Sequence, residues 1–428
     1  MKDLYRRRIT LKEGFKVNLT SLLLSLSESV DMVNQNSPQH QLRTAFIALK
    51  LARHLNLDEV TIENIFMASL LHDIGKNNNF EKKINYESQG IRGQIFVQGV
   101  PRLREPGKII RYYFLEWKDW KESDDRSLVI SSQIVFLANF VDMIISRDRY
   151  ILHQVDDILK ELMRLEDGVL NNKVLLGFKE ISTREEFWFD LISNGLYSIL
   201  LNDSPIKKNK IDLEELSSIG ELFKSIIDFK SKYTITHTTG VSACSEMLGN
   251  LFGLTEIEVK ILGVAANFHD LGKVVVPNKV LEKKGKLTKE EFEVVKSHPY
   301  YTYQVLNSID GLKQIVHWAS YHHERLDGSG YPFHCRAKDL DIGSRIIAVS
   351  DIFISKMEKR SYRDEMDKDE IFEIMKKMGR NNLIDTKLVD LLFYNFDIIE
   401  NFIKIKQEKT LDCYKNYINC KEKEMNKD

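Results

Sequence analysis

An internal repeat is the feature that most constrains the fold of this chain. His40 precedes the stretch HDIGK at residues 72–76, and His237 precedes HDLGK at residues 269–273, with the same separation of 32 positions and no gap. Apolar positions between these motifs also coincide, so the similarity is not confined to the polar residues. The chain is therefore predicted to contain two copies of one domain.

Each copy is predicted to begin with two helices. Apolar residues recur at three- and four-residue spacing, with a break near residues 56–59 in the first copy and 253–256 in the second, and only seven prolines occur in 428 residues. The predicted fold class is all-α, with domains in tandem. We assign residues 1–204 to the first domain and 205–428 to the second, because Pro205 and a lysine cluster interrupt the helical pattern.

The composition excludes several classes of protein. A net charge of -1 gives no overall attraction to nucleic acid polymers or anionic membranes, and the four cysteines form no CxxC pair. Hydrophobic residues make up 43% of the chain and charged residues 29%, with a mean hydropathy of -0.30. We expect a cytoplasmic protein without a membrane span, a disulfide framework or a thiolate metal site.

The second half contains an ordered series of imidazole and carboxylate groups that are candidate metal ligands. Such donors suit iron, manganese or another divalent ion of intermediate hardness. Seven donors are too many for one ion, whereas two ions that share a bridging carboxylate would use them all. We expect the adjacent His-Asp and His-His pairs to lie on helices. The donors are His237, His269, Asp270, His298, His322, His323 and Asp351.

The alternative for each histidine is an ordinary structural role. A single histidine on a helix is more often a hydrogen-bonded side chain than a ligand. Seven donors in order favour a metal centre instead. Such a centre lowers the pKa of a bridging water and neutralises the oxygens of a phosphate under attack, which predicts hydrolysis of a phosphoester.

In their order and spacing, these motifs resemble the HD-GYP family, a branch of the HD metal-dependent phosphohydrolases. The resemblance runs over most of residues 215–400 and is far more specific than a lone HD pair. The matching motifs are His237, HDLGK at 269–273, GKLT at 285–288, HP at 298–299, HHERLDGSGYP at 322–332 and Asp351.

The resemblance implies a helical domain that hydrolyses cyclic dinucleotides, chiefly cyclic di-GMP, to linear pGpG or to GMP. It implies a pair of divalent ions, Fe or Mn, bridged by the catalytic Asp270. One ion would be held by Asp270 together with His237, His269 and Asp351, and the other by His298, His322 and His323.

The resemblance also implies contacts with the substrate. Lys273 would place its ammonium on a phosphate oxygen and take part in catalysis. Tyr331 would stack on a base or make a polar contact, and Arg360 and Arg363 would meet phosphate or guanine edges, although an arginine pair is also common on a solvated helix face. Ile354 stands where members of the family commonly carry an acid, which predicts the loss of a polar contact near the substrate.

The first half lacks most of the donor series. No histidine occurs between His72 and His153, so counterparts of the later histidines and of the GYP turn are missing. What remains is either a mononuclear metal site or a relic in a domain that regulates or dimerises its neighbour, and we favour regulation. The residues of this candidate second site are His40, His72, Asp73 and Asp142.

Two functions from different classes fit the sequence. One is a cyclic dinucleotide phosphodiesterase; the other is a weakly catalytic receptor or scaffold that docks a GGDEF-type diguanylate cyclase. The intact donor series favours the enzyme. Nucleotide hydrolysis by the first half is a third and weaker hypothesis. The sequence leaves open a mixed GMP-AMP cyclic dinucleotide in place of cyclic di-GMP, and it allows a homodimer.

Overall fold

The chain is almost entirely helical in the part that the computed structural model describes, and this confirms the predicted fold class. Two short strands, Val17–Asn18 (β1) and Lys210–Ile211 (β2), pair in a two-stranded sheet. The described residues are 15–32, 38–76, 86–166, 168–229, 231, 234–358 and 365–425, with side chains described up to residue 415.

The chain folds into two compact units, of which the first consists mainly of Asn18–Lys210. In the described part of this unit, short 3₁₀ turns lie at Pro101–Leu103, Trp117–Asp119 and Ile151–His153. Its helices are α1 (Leu19–Asp31), α2 (His40–His54), α3 (Glu59–Leu71), α4 (Tyr86–Val97), α5 (Arg104–Tyr112), α6 (Arg126–Ile144), α7 (Val155–Met163), α8 (Asn172–Ile181), α9 (Glu185–Leu191) and α10 (Leu196–Asp203).

The second unit consists mainly of Ile211–Asn419. A 3₁₀ turn at Leu271–Val275 contains the end of the HDLGK motif. Its helices are α11 (Leu213–Asp228), α12 (His237–Phe252), α13 (Glu256–Phe268), α14 (Asn278–Leu281), α15 (Lys289–Lys296), α16 (His298–Asn307), α17 (Lys313–Ser320), α18 (Ile342–Met357), α19 (Lys368–Arg380), α20 (Thr386–Tyr394) and α21 (Phe396–Met425).

The repeated segment forms two helices in each unit, as the periodicity predicts. In the first unit it gives α2 and α3, and in the second unit α12 and α13. Helix α13 begins with a capping box, because the Thr255 side chain accepts from the amide of Glu258 while the Glu258 carboxylate accepts from the amide of Thr255. Helix α3 begins in a related way, with the Asp58 carboxylate accepting from the amide of Thr61.

The core of the second unit is built around α12 and α13. Helix α12 packs against α13 and α18, and α13 also packs against α11 and α17. Leu248, Leu262 and Ile347 are fully buried within this packing. These helices bury apolar side chains along most of their length, and a few buried polar side chains lie among them, such as Ser245 in α12 and Asp351 in α18.

Helix α6 in the first unit is long and apolar enough, by composition, to cross a membrane. The composition predicts no apolar run of this length, so α6 differs from the prediction. The core helix of a globular unit passes the same test, and 56% of the apolar window is buried inside the protein. Val135, Leu137 and Val141 pack in the interior of the first unit.

Candidate metal centre

The seven predicted donors of the second unit lie at helix ends or on a helix face that points inward. His237 begins α12 and His298 begins α16, while Asp351 lies within α18. The remaining donors follow helix ends: His269 and Asp270 come directly after α13, and His322 and His323 come after Tyr321, the C-cap of α17.

The two adjacent pairs do not lie on helices, contrary to the prediction. His269 caps the C-terminus of α13 and Asp270 opens the following 3₁₀ turn, while His322 and His323 lie in the turn after α17. In such a turn, both side chains of an adjacent pair can point toward the cluster. The donors therefore converge beyond the helix ends and not along the helices.

Asp270 is at the centre of the cluster, and its two carboxylate oxygens face different histidines. Oδ2 lies 3.3 Å from Nε2 of His269 and 3.8 Å from Nε2 of His237. Oδ1 lies 3.3 Å from Nε2 of His298 and 4.0 Å from Nε2 of His322. One carboxylate thus joins two sets of nitrogen donors, as a bridging ligand would.

The remaining contacts complete two groups of donors. Asp351 Oδ1 lies 3.2 Å from Nε2 of His237, and its Oδ2 lies 3.7 Å from Nδ1 of His323. Within each group the donor atoms lie within 4.8 Å of one another. One group is His237, His269 and Asp351, and the other is His298, His322 and His323.

These residues fit a pair of metal ions. The Nε2 atom of His269 and the Oδ1 atom of Asp270 are buried and have no hydrogen-bond partner. Burying a polar atom without a partner is costly, so such atoms at the middle of a cluster indicate that something else binds there. The donors are nitrogen and carboxylate oxygen only, which is the chemistry expected for Fe or Mn.

The charge states of the cluster also suit metal binding. Burial would raise the pKa of Asp270, but the neighbouring His269 and Lys273 hold it well below its usual range, so the carboxylate stays ionised. Burial and the surrounding imidazoles hold the pKa of His322 well below its usual range. A neutral imidazole is the form that binds a metal ion.

A close approach of two backbones brings the HD turn against His298. A Cβ atom at Gly272 would lie 1.9 Å from the carbonyl oxygen of His298, so only glycine fits there. Thr302 strengthens this contact, because its hydroxyl accepts from the Gly272 amide at 2.9 Å and donates to the His269 carbonyl at 3.0 Å. Gly272 is part of a quoted motif, but the role of Thr302 was missed by the sequence analysis.

The glycine-rich turn places Tyr331 beside the cluster. The Tyr331 and His323 rings are 4.9 Å apart between centroids. The carboxylate of Glu324 accepts from the amides of Phe333 and Cys335, at 2.7 and 2.9 Å, and closes the turn. Gly330 is required, because a Cβ atom there would lie 2.4 Å from the Glu324 backbone. The turn therefore supports the histidine pair.

The other predicted substrate contacts are only partly described. Lys273 pairs with Asp270 through its ammonium group, which puts a positive charge at the rim of the cluster. Arg360 and Arg363 lie outside the described residues. Ile354 is buried on α18 and would be close to any side chain added at Gly240.

The candidate second site, in the first unit, brings three of its four predicted donors together. Nε2 of His40 lies 3.2 Å from Nε2 of His72 and 3.3 Å from Asp73 Oδ2. Nε2 of His72 lies 3.3 Å from Asp73 Oδ1. All three residues are buried and form a group that could hold an ion.

Asp142, the predicted fourth donor, lies outside this group of three and contacts the other edge of the His40 ring. Its Oδ1 accepts from Arg43 Nε at 2.5 Å and from Arg147 Nη2 at 2.8 Å. Its Oδ2 accepts from Nδ1 of His40 at 2.6 Å. Two guanidinium groups therefore neutralise the charge of Asp142. Asp142 contacts Nδ1 of His40, whereas Nε2 of the same ring faces His72 and Asp73. The register of the repeat sets Arg43 against Gly240 of the second unit.

Both segments of the repeat match known domain families. Residues 221–388 match a family described as HD domain, and residues 39–144 match a second family with the same description. The chain is 26% identical over 399 residues to 3'3'-cGAMP-specific phosphodiesterase 1 of Vibrio cholerae serotype O1. The aligned residues cover 89% of this chain and 92% of the relative.

Two further relatives are similar over different parts of the chain. A cyclic di-GMP phosphodiesterase of Thermotoga maritima is 29% identical over 202 residues, which cover 47% of this chain and 52% of the relative. The crystal structure of a cyclic GMP-AMP specific phosphodiesterase of V. cholerae has the same fold, with a TM-score of 0.64 at 22% identity over 89% of this chain and 98% of that chain. From these matches and the paired donor groups, we conclude that the chain contains two HD domains in tandem and that it resembles cyclic dinucleotide phosphodiesterases of the HD-GYP type.

Proposed function

We propose that this metal-dependent phosphodiesterase hydrolyses cyclic dinucleotides in its second unit, with mixed 3'3'-cyclic GMP-AMP as the preferred substrate and cyclic di-GMP as the second candidate. The observation that carries the proposal is the position of Asp270. Its Oδ2 faces His237 and His269, and its Oδ1 faces His298 and His322. A carboxylate shared in this way is what a two-metal hydrolytic site requires.

The residues of the second unit have distinct parts in the proposed reaction. When bound, two divalent ions, Fe or Mn, activate a water molecule and neutralise the charge that develops on the phosphate. Asp270 stays ionised and serves both donor groups. Lys273, already paired with Asp270, is placed to contact a phosphate oxygen once substrate enters. Tyr331 flanks His323 and offers a ring face to a base.

The preference for cyclic GMP-AMP is supported by how far each relative matches. The relative named for that nucleotide covers both halves of the chain, whereas the relative from T. maritima named for cyclic di-GMP covers about half. The expected products are the linear dinucleotide or the mononucleotides. Cyclic di-GMP, the substrate implied by the motifs alone, stays the alternative.

Product analysis tests this proposal. Protein purified without oxygen and loaded with Mn²⁺ or Fe²⁺ is incubated with each cyclic dinucleotide, and the products are separated by chromatography and identified by mass. We expect the wild type and the Asp73→Ala variant to cleave cyclic GMP-AMP faster than cyclic di-GMP, and Asp270→Ala to be inactive. Asp73 is the matched control because it occupies the same position in the other HD motif.

Two results would contradict the proposal. Tight nucleotide binding without turnover under either metal would identify a receptor or scaffold. Activity that survives Asp270→Ala but is lost in Asp73→Ala would transfer the reaction to the first unit. The cytoplasmic location, the GGDEF-type cyclase partner and the homodimer stay predictions, to be checked by cell fractionation, by co-purification with a cyclase and by light scattering.

A further inference from the structure

Three histidines of the candidate metal centre are oriented by the local backbone, whereas His237 is oriented by a side chain from a distant segment. His269, His298 and His322 each donate Nδ1–H to the backbone carbonyl three residues earlier, at 2.6 to 2.7 Å. His237 begins α12 and has Glu358 Oε2 at 3.1 Å from its Nδ1. The orientation of the His237 ring therefore depends on a side chain, whereas that of His269, His298 and His322 follows from the local backbone.

Glu358 is held in place by residues of two other segments. Its Oε1 accepts from the Thr236 hydroxyl at 3.0 Å and from Gln407 Nε2 at 3.0 Å. Gln407, on α21, also donates to the Thr236 carbonyl at 3.2 Å. The Glu358 side chain is only 15% exposed. A carboxylate fixed by several donors has little freedom, so it fixes the imidazole that it binds.

Helix α18 presents two carboxylates to opposite edges of the His237 ring. Asp351 lies 3.2 Å from Nε2, and Glu358, seven residues later at the C-cap of α18, lies 3.1 Å from Nδ1. Residues seven apart fall on the same helix face. Glu358 is also one turn beyond Ile354, so the helix provides a second acid even though Ile354 is apolar.

We infer that Glu358 is a positioning residue for the ion that His237 holds. By accepting Nδ1–H it fixes the tautomer that directs the Nε2 lone pair toward Asp270 and Asp351, and its negative charge makes the imidazole a stronger ligand. The inference rests on the proposed function. It concerns one ion of the pair, because the donor that Glu358 contacts, His237, belongs to the group with His269 and Asp351.

Metal binding to the full-length protein tests this inference without any nucleotide. The protein is stripped with a chelator, titrated with Mn²⁺ by calorimetry, and its retained Mn²⁺ is counted after desalting. We expect two ions in the wild type. In Glu358→Ala we expect one site to weaken by roughly 10- to 100-fold and the other to keep its affinity.

Two further variants separate positioning from general destabilisation. Glu358→Gln keeps an oxygen that can accept Nδ1–H but loses the charge, so its affinity should lie between those of the alanine variant and the wild type. Glu365→Gln is the matched control, because Glu365 lines the same pocket as Glu358 and is exposed, and it should bind both ions normally.

The outcomes distinguish this inference from the proposed function. Wild-type affinity at both sites in Glu358→Ala would overturn the inference, as would equal weakening of both sites. A wild type that binds no ion would overturn both the inference and the proposed function. A wild type that binds two ions but cleaves no cyclic dinucleotide, with one site selectively weakened in Glu358→Ala, would overturn the proposed function and support the inference.

Discussion

At the scale of single residues, three of the candidate histidine ligands, His269, His298 and His322, have Nδ1 bound to a backbone carbonyl, which directs Nε2 into the cluster. With Nδ1–H donated to the Ala319 carbonyl, His322 directs Nε2 toward Asp270 and His298. An imidazole fixed in this tautomer has its other nitrogen available for an ion. The same residue type on a mobile surface loop would have no such preference.

Replacing His322 should remove one ion and most of the activity. In His322→Gln we expect the rate of hydrolysis to fall by roughly 100-fold or more. The lost ion would no longer stabilise the charge on the phosphate in the transition state, a contribution on the order of several kcal/mol. The matched control is His334→Gln in the exposed part of the following turn, which should keep both ions and near-normal rates. Steady-state rates and bound Mn²⁺ are measured for both, and equal effects of the two substitutions would refute the ligand assignment.

The sequence displays the candidate donors but not their supporting partners, for a physical reason. The donors stand in adjacent pairs and in a fixed order, which a single sequence displays. Glu358 reaches His237 from 121 positions away, and its role depends on the face of α18 and on Gln407 of α21. Its spacing of seven from Asp351 was the available signal. The contact between Asp142 and Arg43, which lies on a different helix, is likewise not visible in the spacing of the motifs.

At the scale of helices, α13 is the element that positions the HD pair. Helix α13 ends at Phe268, and His269 is its C-cap. The capping box at its N-terminus stabilises the helix but lies at the end away from the HD pair. Thr255→Ala should lower the free energy of unfolding by about 1 kcal/mol and leave Mn²⁺ affinity unchanged. Urea unfolding and metal titration measure the two quantities. A tenfold loss of affinity would mean that the cap also controls the position of the HD turn.

In the first unit, His40 connects α2 to α6 through Asp142. Burial would lower the pKa of His40, but its bonds to Asp142 and Asp73 raise it to about 9. Protonated His40 therefore stabilises the folded state fully below the unfolded pKa of about 6.5, and this stabilisation is lost as the pH rises through about 9. A shift of this size corresponds to about 3 kcal/mol.

This linkage predicts that the first unit becomes less stable between about pH 6.5 and 9. With a chelator present, hydrogen exchange of the α2 and α6 amides, corrected for intrinsic rates, should show opening that increases with pH over this range. His40→Gln should be less stable at neutral pH and should lose this pH dependence. A wild type whose protection is flat from pH 6.5 to 9 would show that His40 is neutral and that the Asp142 contacts do not hold it charged.

At the scale of the whole molecule, a duplicated fold carries unequal chemistry. The all-α class and the two-helix repeats could be predicted because periodicity and register are properties of the sequence alone. Whether each copy binds metal could not be predicted from the sequence, because metal binding depends on which other side chains contact the donors. Asp351 faces His237 Nε2, whereas Asp142 is neutralised by Arg43 and Arg147. The first unit is thereby left with three donors, in keeping with the regulatory role favoured from the sequence.

Anomalous diffraction from crystals of the full-length protein loaded with Mn²⁺ tests the paired centre most directly. The account predicts two peaks about 3.5–4 Å apart, one beside each carboxylate oxygen of Asp270, with His298 and His322 at the second. A single peak in the second unit, or an Asp270 side chain turned away from both histidine groups, would contradict it.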